Sequence, residues 1–306
     1  MLVPHLLADG HKVTVYDAMY FGNGCLPDDN GNLTVIKGDV RYVALLRQAF
    51  EHKDVVIYLA SLSSNAMHEA HPLIGDDINL ESFPPALATA GACGVKRFIY
   101  ASSVAAYGSS TEDAEEHQTL APSTLYGHAK DHCENWLLAY SNIPNFEIVI
   151  TRSASVCGYS VRQRFDLTVN MMVLDAVMNG VIKVNGGAQK RSHIHMDDIC
   201  RAYRMLVTAD TEEVAGQIFN FVGENQTVLE TARIVAEELG AEIKIGPPTD
   251  DRSYSVDGSK ALRVLGFAPK KTVRQAVREL KMAFDDGYWK DVRTNPAYMN
   301  MVPGIV

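Results

Sequence analysis

Apolar positions in the first half of the chain gather into short continuous runs separated by amphipathic stretches. Lys12 to Tyr16, Leu33 to Lys37, Asp54 to Leu59, Lys96 to Ser102 and Glu147 to Thr151 have strand length. Between them lie helical patterns over Tyr42 to Phe50, roughly Gly75 to Gly91, and Ser123 to Tyr140. Strands that are apolar without alternation are covered on both faces, and strands alternating with helices form a parallel sheet. The pattern predicts an α/β fold built on a doubly wound parallel sheet over residues 1–155. Beyond about Val156 the rhythm loosens, and loops carrying Gly158, Gly186-Gly187 and Gly246-Pro247-Pro248 separate shorter elements. A smaller, mainly substrate-binding domain is expected over residues 156–306, set over the carboxyl edge of the sheet, with some segments returning to the first domain. From about Trp289 the chain reads as an irregular tail.

The run Met1 to Asp9, closed by Gly10, reads as the second half of a helix entering the strand Lys12 to Tyr16. A dinucleotide-binding unit places a strand and a G-x-x-G-x-x-G turn before such a helix. Its glycines let the backbone approach a pyrophosphate at the helix amino terminus. That turn does not occur in the sequence, and Gly22-Asn23-Gly24, after the second strand, reads as an ordinary turn. The expectation is either that strand and turn lie upstream of Met1 or that a principal cofactor contact is missing.

The Ser123 to Tyr140 pattern carries the strongest chemical signal. Ser123 or Thr124 suits the helix cap, and Leu125, Ala129, Cys133, Trp136, Leu137 and Tyr140 form an apolar stripe at helical spacing. Tyr126 and Lys130 fall on the flank of that stripe, one turn apart on the same side. A phenol alone is a poor base at neutral pH, with an unperturbed pKa of about 10, and an adjacent ammonium favours the phenolate. With 13 tyrosines in the chain the spacing recurs by chance, so the motif takes its weight from its surroundings. Ser103, in the run Ala101-Ser102-Ser103-Val104-Ala105-Ala106-Tyr107-Gly108, offers a hydroxyl that relays a substrate proton. Together the three groups fit oxidation or reduction of a secondary alcohol.

Composition narrows the class. A chain of 306 residues, 47% hydrophobic, buries a core sufficient for one large or two medium domains. The net charge of −9 argues against nucleic-acid binding, which needs a basic footprint. No apolar run approaches the roughly 18 residues of a membrane span, and the start lacks the basic flank of a signal peptide. Five cysteines, with no C-x-x-C spacing, read as buried thiols of a reducing cytoplasm.

Taken in order, these motifs resemble the extended short-chain dehydrogenase/reductase family, in its NAD-dependent nucleotide-sugar epimerase and dehydratase branch. The resemblance runs from Met1 to about Tyr288 and implies a Rossmann-like first domain. It implies that Asp17, ending the second strand, meets the adenosine ribose and favours NAD over NADP. Asp39 and Val40 in Gly38-Asp39-Val40 would lie near the adenine. Leu59, Ala60 and Ser61 would line the cofactor phosphates and nicotinamide ribose, and Asn79 would support the active site from within a helix. Ser103, Tyr126 and Lys130 become the catalytic set, with Tyr126 and Lys130 also contacting the cofactor. Where 4,6-dehydratases of this branch carry Asp-Glu after the catalytic serine, this chain has Val104-Ala105, which transfer no protons. Arg191, in Arg191-Ser192-His193-Ile194-His195-Met196-Asp197-Asp198, and Arg252 resemble diphosphate-binding arginines. Arg164, near Arg162 and Gln163, falls in a substrate-contacting loop.

The implied activity is 4-epimerisation of a nucleoside-diphosphate hexose through a 4-keto intermediate. Stopping halfway gives a 4-dehydrogenase or reductase, elimination gives a dehydratase, and an incomplete cofactor site gives a dinucleotide sensor or scaffold. A homodimer through the Tyr126 helix is a further implication of the resemblance. No metal site is expected, because His128 and His132 flank Lys130 without a carboxylate constellation. His68-Glu69-Ala70-His71 reads as a polar loop, Glu112 to Glu116 as a solvated acidic loop, and Cys157 as a small buried residue.

Overall fold

The computed structural model describes residues 1–28, 31–110, 112–141, 143–250 and 252–301. Four parallel strands form the central sheet in the order Gln217–Phe221, Glu147–Ser153, Arg97–Ser103, Val55–Tyr58. Val13–Asp17 pairs in parallel with Leu33–Lys37 as a separate two-stranded sheet. Strand sides alternate, so Phe98 and Tyr100 point one way and Ile99 the other. Phe98 and Tyr100 pack with Phe83 and Leu87, from the helix Phe83–Ala92, and with Leu137, from the helix Leu125–Tyr140. Ile99, Val149 and Phe219 meet Ile199, Ala202 and Leu206 of the helix Met196–Thr208. Both faces are therefore covered, as continuous apolar runs require.

The second half is not wholly separate from this sheet. Strand Gln217–Phe221 adds to its edge beside Glu147–Ser153. Arg97 donates to the carbonyls of Leu206 at 2.6 Å and Ala209 at 2.8 Å, closing the end of the Met196–Thr208 helix, and pairs with Glu147 at 2.6 Å. A second core gathers around the helices Thr168–Asn179, Val228–Leu239 and Val273–Asp285. Its edge strands pair as Ser155–Cys157 with Lys190–His195, and Lys190–His195 with Glu224–Thr227.

Several local expectations are refined or corrected. The helix expected from roughly Gly75 to Gly91 is found over Pro72–Asp76 and Phe83–Ala92, with a π-helical turn, Asp77–Glu81, between them. Pro84 and Pro85 lack the N–H groups that would bond the Leu80 and Glu81 carbonyls. The Ser82 N–H reaches back five residues to the Asp77 carbonyl at 3.0 Å, leaving the Ile78 carbonyl to Ser82 Oγ at 2.8 Å. Leu125, placed in the apolar stripe, is 40% exposed, whereas Lys130 and Glu134, beside that stripe, are buried. His68 is buried in a short helix, Asn65–Ala70, and does not lie in a polar loop. The acidic stretch contributes the strand Asp113–Ala114, and Glu116 accepts the Asn220 N–H at 2.8 Å. Trp289 and Val292 belong to the second core, Trp289 meeting the rings of Phe165 and Phe284.

Candidate active site

The site is assembled at the carboxyl edge of the central sheet. Strand Arg97–Ser103 ends in a 3₁₀ turn, Val104–Tyr107, which Ser103 caps by accepting the Ala105 N–H at 3.2 Å. Thr124 caps the helix Leu125–Tyr140, accepting the Gly127 N–H at 3.1 Å. A β-carbon at position 127 would lie 2.8 Å from the Ala105 carbonyl oxygen. Glycine there lets the helix start dock against the turn that Ser103 opens. Tyr126 and Ser103 are both half-buried at this junction.

Lys130 reaches under the tyrosine. Its Nζ donates to the Ala101 carbonyl at 2.7 Å and lies 5.4 Å from the Tyr126 ring centre and 4.7 Å from that of Tyr100. One turn further on, Glu134 is buried and bonded to Arg152 at 2.6 Å, and it accepts a short hydrogen bond from Ser102 Oγ. Arg152 also donates to the Glu116 carbonyl and stacks over Tyr107. This buried network fixes the helix against the strand whose end carries Ser103. Sequence reasoning missed it, although Glu134 four residues after Lys130 was a readable sign that this face carries charge.

The first strand ends form an adjoining edge. Asp17 is exposed, its Oδ1 accepting the Met19 N–H at 2.6 Å. Asp39 is paired with Arg41 at 2.8 Å; burial opposes its charge, but the Arg41 hydrogen bonds outweigh it and hold the carboxyl below its usual range. Val40 is buried, and beside it a recess of about 290 Å³ is lined by Val40, Arg41, Val43, Asp77, Ser82 and Pro85. Leu59 is half-exposed and Ala60 half-buried at the end of the run that includes Val55–Tyr58. Ser61 Oγ donates to Asn79 Oδ1 at 2.9 Å, so these two predicted residues are in contact.

The three arginines fall in two groups. Arg191 and Arg252 both bind the Asp250 carboxylate, at 3.1 and 2.8 Å, and Arg191 also donates to the Arg252 carbonyl. Arg164 stands apart, pairing with Asp166 at 2.5 Å and donating to Ser63 Oγ at 3.0 Å. Its contact with Ser63 brings the Arg162–Arg164 loop to the strand end at Ser61.

Among the described residues, His195, Asp197 and Glu279 place donor atoms within 4.8 Å of one another. Lys271 Nζ lies 2.7 Å from Glu279 and 3.6 Å from Asp197, so an ammonium already occupies the cationic place among these carboxylates. Burial pushes the Cys157 thiol upward, which keeps it protonated and unreactive.

Comparisons with known proteins bear on the family and the fold. The chain is 24% identical to a dTDP-glucose 4,6-dehydratase from Streptomyces niveus over 308 residues, covering 94% of this chain and 88% of the relative. Its fold superposes with a TM-score of 0.84 on the dTDP-glucose 4,6-dehydratase DesIV from Streptomyces venezuelae, solved with NAD bound, at 25% identity and 95% coverage of each chain. It superposes equally on the UDP-glucose 4-epimerase of Thermotoga maritima, solved with UDP-glucose, with a TM-score of 0.83, 23% identity and 94% of each chain covered. The family model of NAD-dependent epimerases and dehydratases matches residues 1–221, and the chain belongs to that family.

Proposed function

We propose that the protein is a nucleotide-sugar 4-epimerase. The observation that carries this reading is the junction of Ser103, Tyr126 and Lys130, together with the residues that follow Ser103. Val104 is buried and Ala105 has no ionisable group, so the turn beside the sugar offers no carboxylate for eliminating water. Glu134, the buried acid of this region, is committed to Arg152.

The residues present fit NAD. Asp17 offers a free carboxylate oxygen to a ribose, and the recess beside Val40 and Arg41 accepts a flat base. Ala60, Ser61 and the Asn79 behind them form the strand end facing the nicotinamide side, Lys130 Nζ is within reach of the second ribose, and exposed Leu59 adds apolar surface. When bound, NAD supplies a reversible hydride acceptor for carbon 4. Tyr126 Oη takes the proton of the sugar 4-hydroxyl, and Ser103 Oγ holds the same oxygen through addition and loss of that proton. The Lys130 ammonium favours the phenolate. Arg191 and Arg252 hold the substrate diphosphate, and Arg164 contacts the sugar from the opposite wall.

In this reading the second half supplies most of the substrate domain, and the enzyme works in the cytoplasm as a homodimer. Exposed Leu125 and Leu138 on the outer face of the catalytic helix support the dimer. The test is to incubate the protein with UDP- and dTDP-hexoses and follow the products by NMR. The 4-epimer without net NADH is expected. A 4-keto-6-deoxy sugar would make it a dehydratase, stoichiometric NADH a dehydrogenase, and retained NAD without turnover a sensor.

A further inference from the structure

His68 is fully buried, yet it is not an apolar core residue. Its Nδ1 lies 3.2 Å from Asn79 Nδ2, and its Nε2 lies 3.0 Å from Asp76 Oδ1. The direction of these bonds follows from one backbone group. The Leu62 N–H is necessarily a donor, and it lies 2.7 Å from Asn79 Oδ1, so that atom is the amide oxygen. Asn79 Nδ2 is then the amide nitrogen, donating toward the Leu62 carbonyl at 3.3 Å and toward His68 Nδ1. Nδ1 must therefore accept, which leaves the ring proton on Nε2, aimed at Asp76.

The ring also fits its place sterically. A β-carbon at position 75 would lie 2.1 Å from His68 Cδ2, so the imidazole fills the space that any side chain at position 75 would need. Asp76 follows directly, and the π-helical turn Asp77–Glu81 then carries Asn79 inward. Asn79 joins two parts of the site. Its Oδ1 holds Ser61 Oγ and the Leu62 N–H, and its carbonyl accepts the Cys133 S–H at 3.2 Å, three residues past Lys130.

We propose that His68 is a positioning residue that, backed by Asp76, orients the Asn79 amide and thereby the strand end at Ser61 and Leu62 that faces the cofactor. The assignment of that strand end to the cofactor rests on the functional reading above. A wrongly turned Asn79 would present its NH₂ group to the Leu62 N–H, two donors face to face, and take away the acceptor to which Ser61 Oγ donates.

The test exploits two amides of different reach. Asn at position 68 places its Oδ1 where Nδ1 stands, and Gln places its terminal amide where Nε2 stands. His68→Asn keeps an acceptor for Asn79 and loses Asp76; His68→Gln does the reverse, and His68→Leu loses both. We expect His68→Gln and His68→Leu to weaken NAD binding and lower kcat by about tenfold, the scale of one misplaced hydrogen bond. The KM for the nucleotide sugar stays unchanged, and His68→Asn recovers most of the loss. If His68 were only filling space, the larger Gln would rescue better than Asn, and that order overturns the proposal. Nitrogen-15 NMR of histidine-labelled full-length protein supplies an arm that needs no activity. It should show the Nε2–H tautomer at His68, and the Nδ1–H tautomer overturns the assignment. Failure of the parent protein to turn over any nucleotide sugar counts against the epimerase reading alone, because the tautomer and the order of NAD affinities still decide the role of His68.

Discussion

Lys130 Nζ stands 5.4 Å from the centre of the Tyr126 ring while held at 2.7 Å by the Ala101 carbonyl. The cation is thus tethered to the strand that ends in Ser103, and the tyrosine shares its helix. Any movement of that helix on the sheet changes both relationships together. Tyr126→Phe should therefore lower turnover by on the order of 10²–10⁴ while thermal stability and nucleotide-sugar binding remain close to the parent. Lys130→Met should lose comparable turnover and also weaken NAD, because the ammonium serves both. Steady-state kinetics with calorimetric titration check the pair; parental turnover in Tyr126→Phe removes the tyrosine from its assigned role.

What fixes the helix is the buried pair of Glu134 and Arg152, with side chains 2% and 4% exposed. Removing one partner leaves an uncompensated charge in the core. Glu134→Leu should cost about 3–5 kcal/mol in urea unfolding, and the double change Glu134→Leu with Arg152→Leu should restore part of that loss. Equal destabilisation by the single and double changes would show that the pair acts only through its packing.

The sheet was legible in the sequence because buried parallel strands advertise themselves locally. Val55–Tyr58, Arg97–Ser103 and Glu147–Ser153 coincide with continuous apolar runs. The helix Leu125–Tyr140 was legible for the same reason, since cap and stripe are neighbours in the chain, and of the two cap candidates, Ser123 and Thr124, the structure uses Thr124. What could not be read depends on partners far apart in sequence. His68 looks like loop polarity until Asn79 and Gly75 close around it, and Trp289 looks like a tail until Phe165 and Phe284 meet it. Asp250 is a chain neighbour of Arg252, but its bond to Arg191 spans 59 residues and leaves no local sign.

His195 and Glu279 link the Lys190–His195 strand to the Val273–Asp285 helix at 2.9 Å. The His195 hydrogen bond, reinforced by Lys271 against partial burial, holds the Glu279 carboxyl down at about 2 from an ordinary 4.5. A carboxyl lowered in the folded state contributes stability above its unfolded value and loses it as pH falls toward the folded value. Glu279→Gln should therefore be less stable than the parent near neutrality, with the gap closing as pH falls from 4.5 toward 2. Urea midpoints of both proteins across that range measure it, and a gap independent of pH would mean that charge is not the source.

Asp250 accepts from Arg191 at 3.1 Å and from Arg252 at 2.8 Å, so one carboxylate stands where two guanidinium forks converge. Its own carboxyl is held below the usual range, the Arg252 hydrogen bond being the largest cause. If these arginines hold the substrate diphosphate as proposed, it competes with this internal anion for the same donors. Arg191→Ala should weaken UDP or dTDP binding by roughly ten- to hundredfold, the worth of a charge-assisted contact of about 1.5–3 kcal/mol, and leave NAD affinity nearly unchanged. Asp250→Asn should act in the opposite direction, tightening the nucleoside diphosphate by freeing both arginines, with an effect that shrinks as salt is added. Calorimetric titration of the two variants with UDP, dTDP and NAD reads all of these. Equal loss of NAD and nucleotide in Arg191→Ala, or weaker UDP binding in Asp250→Asn, would place the diphosphate elsewhere in the cleft.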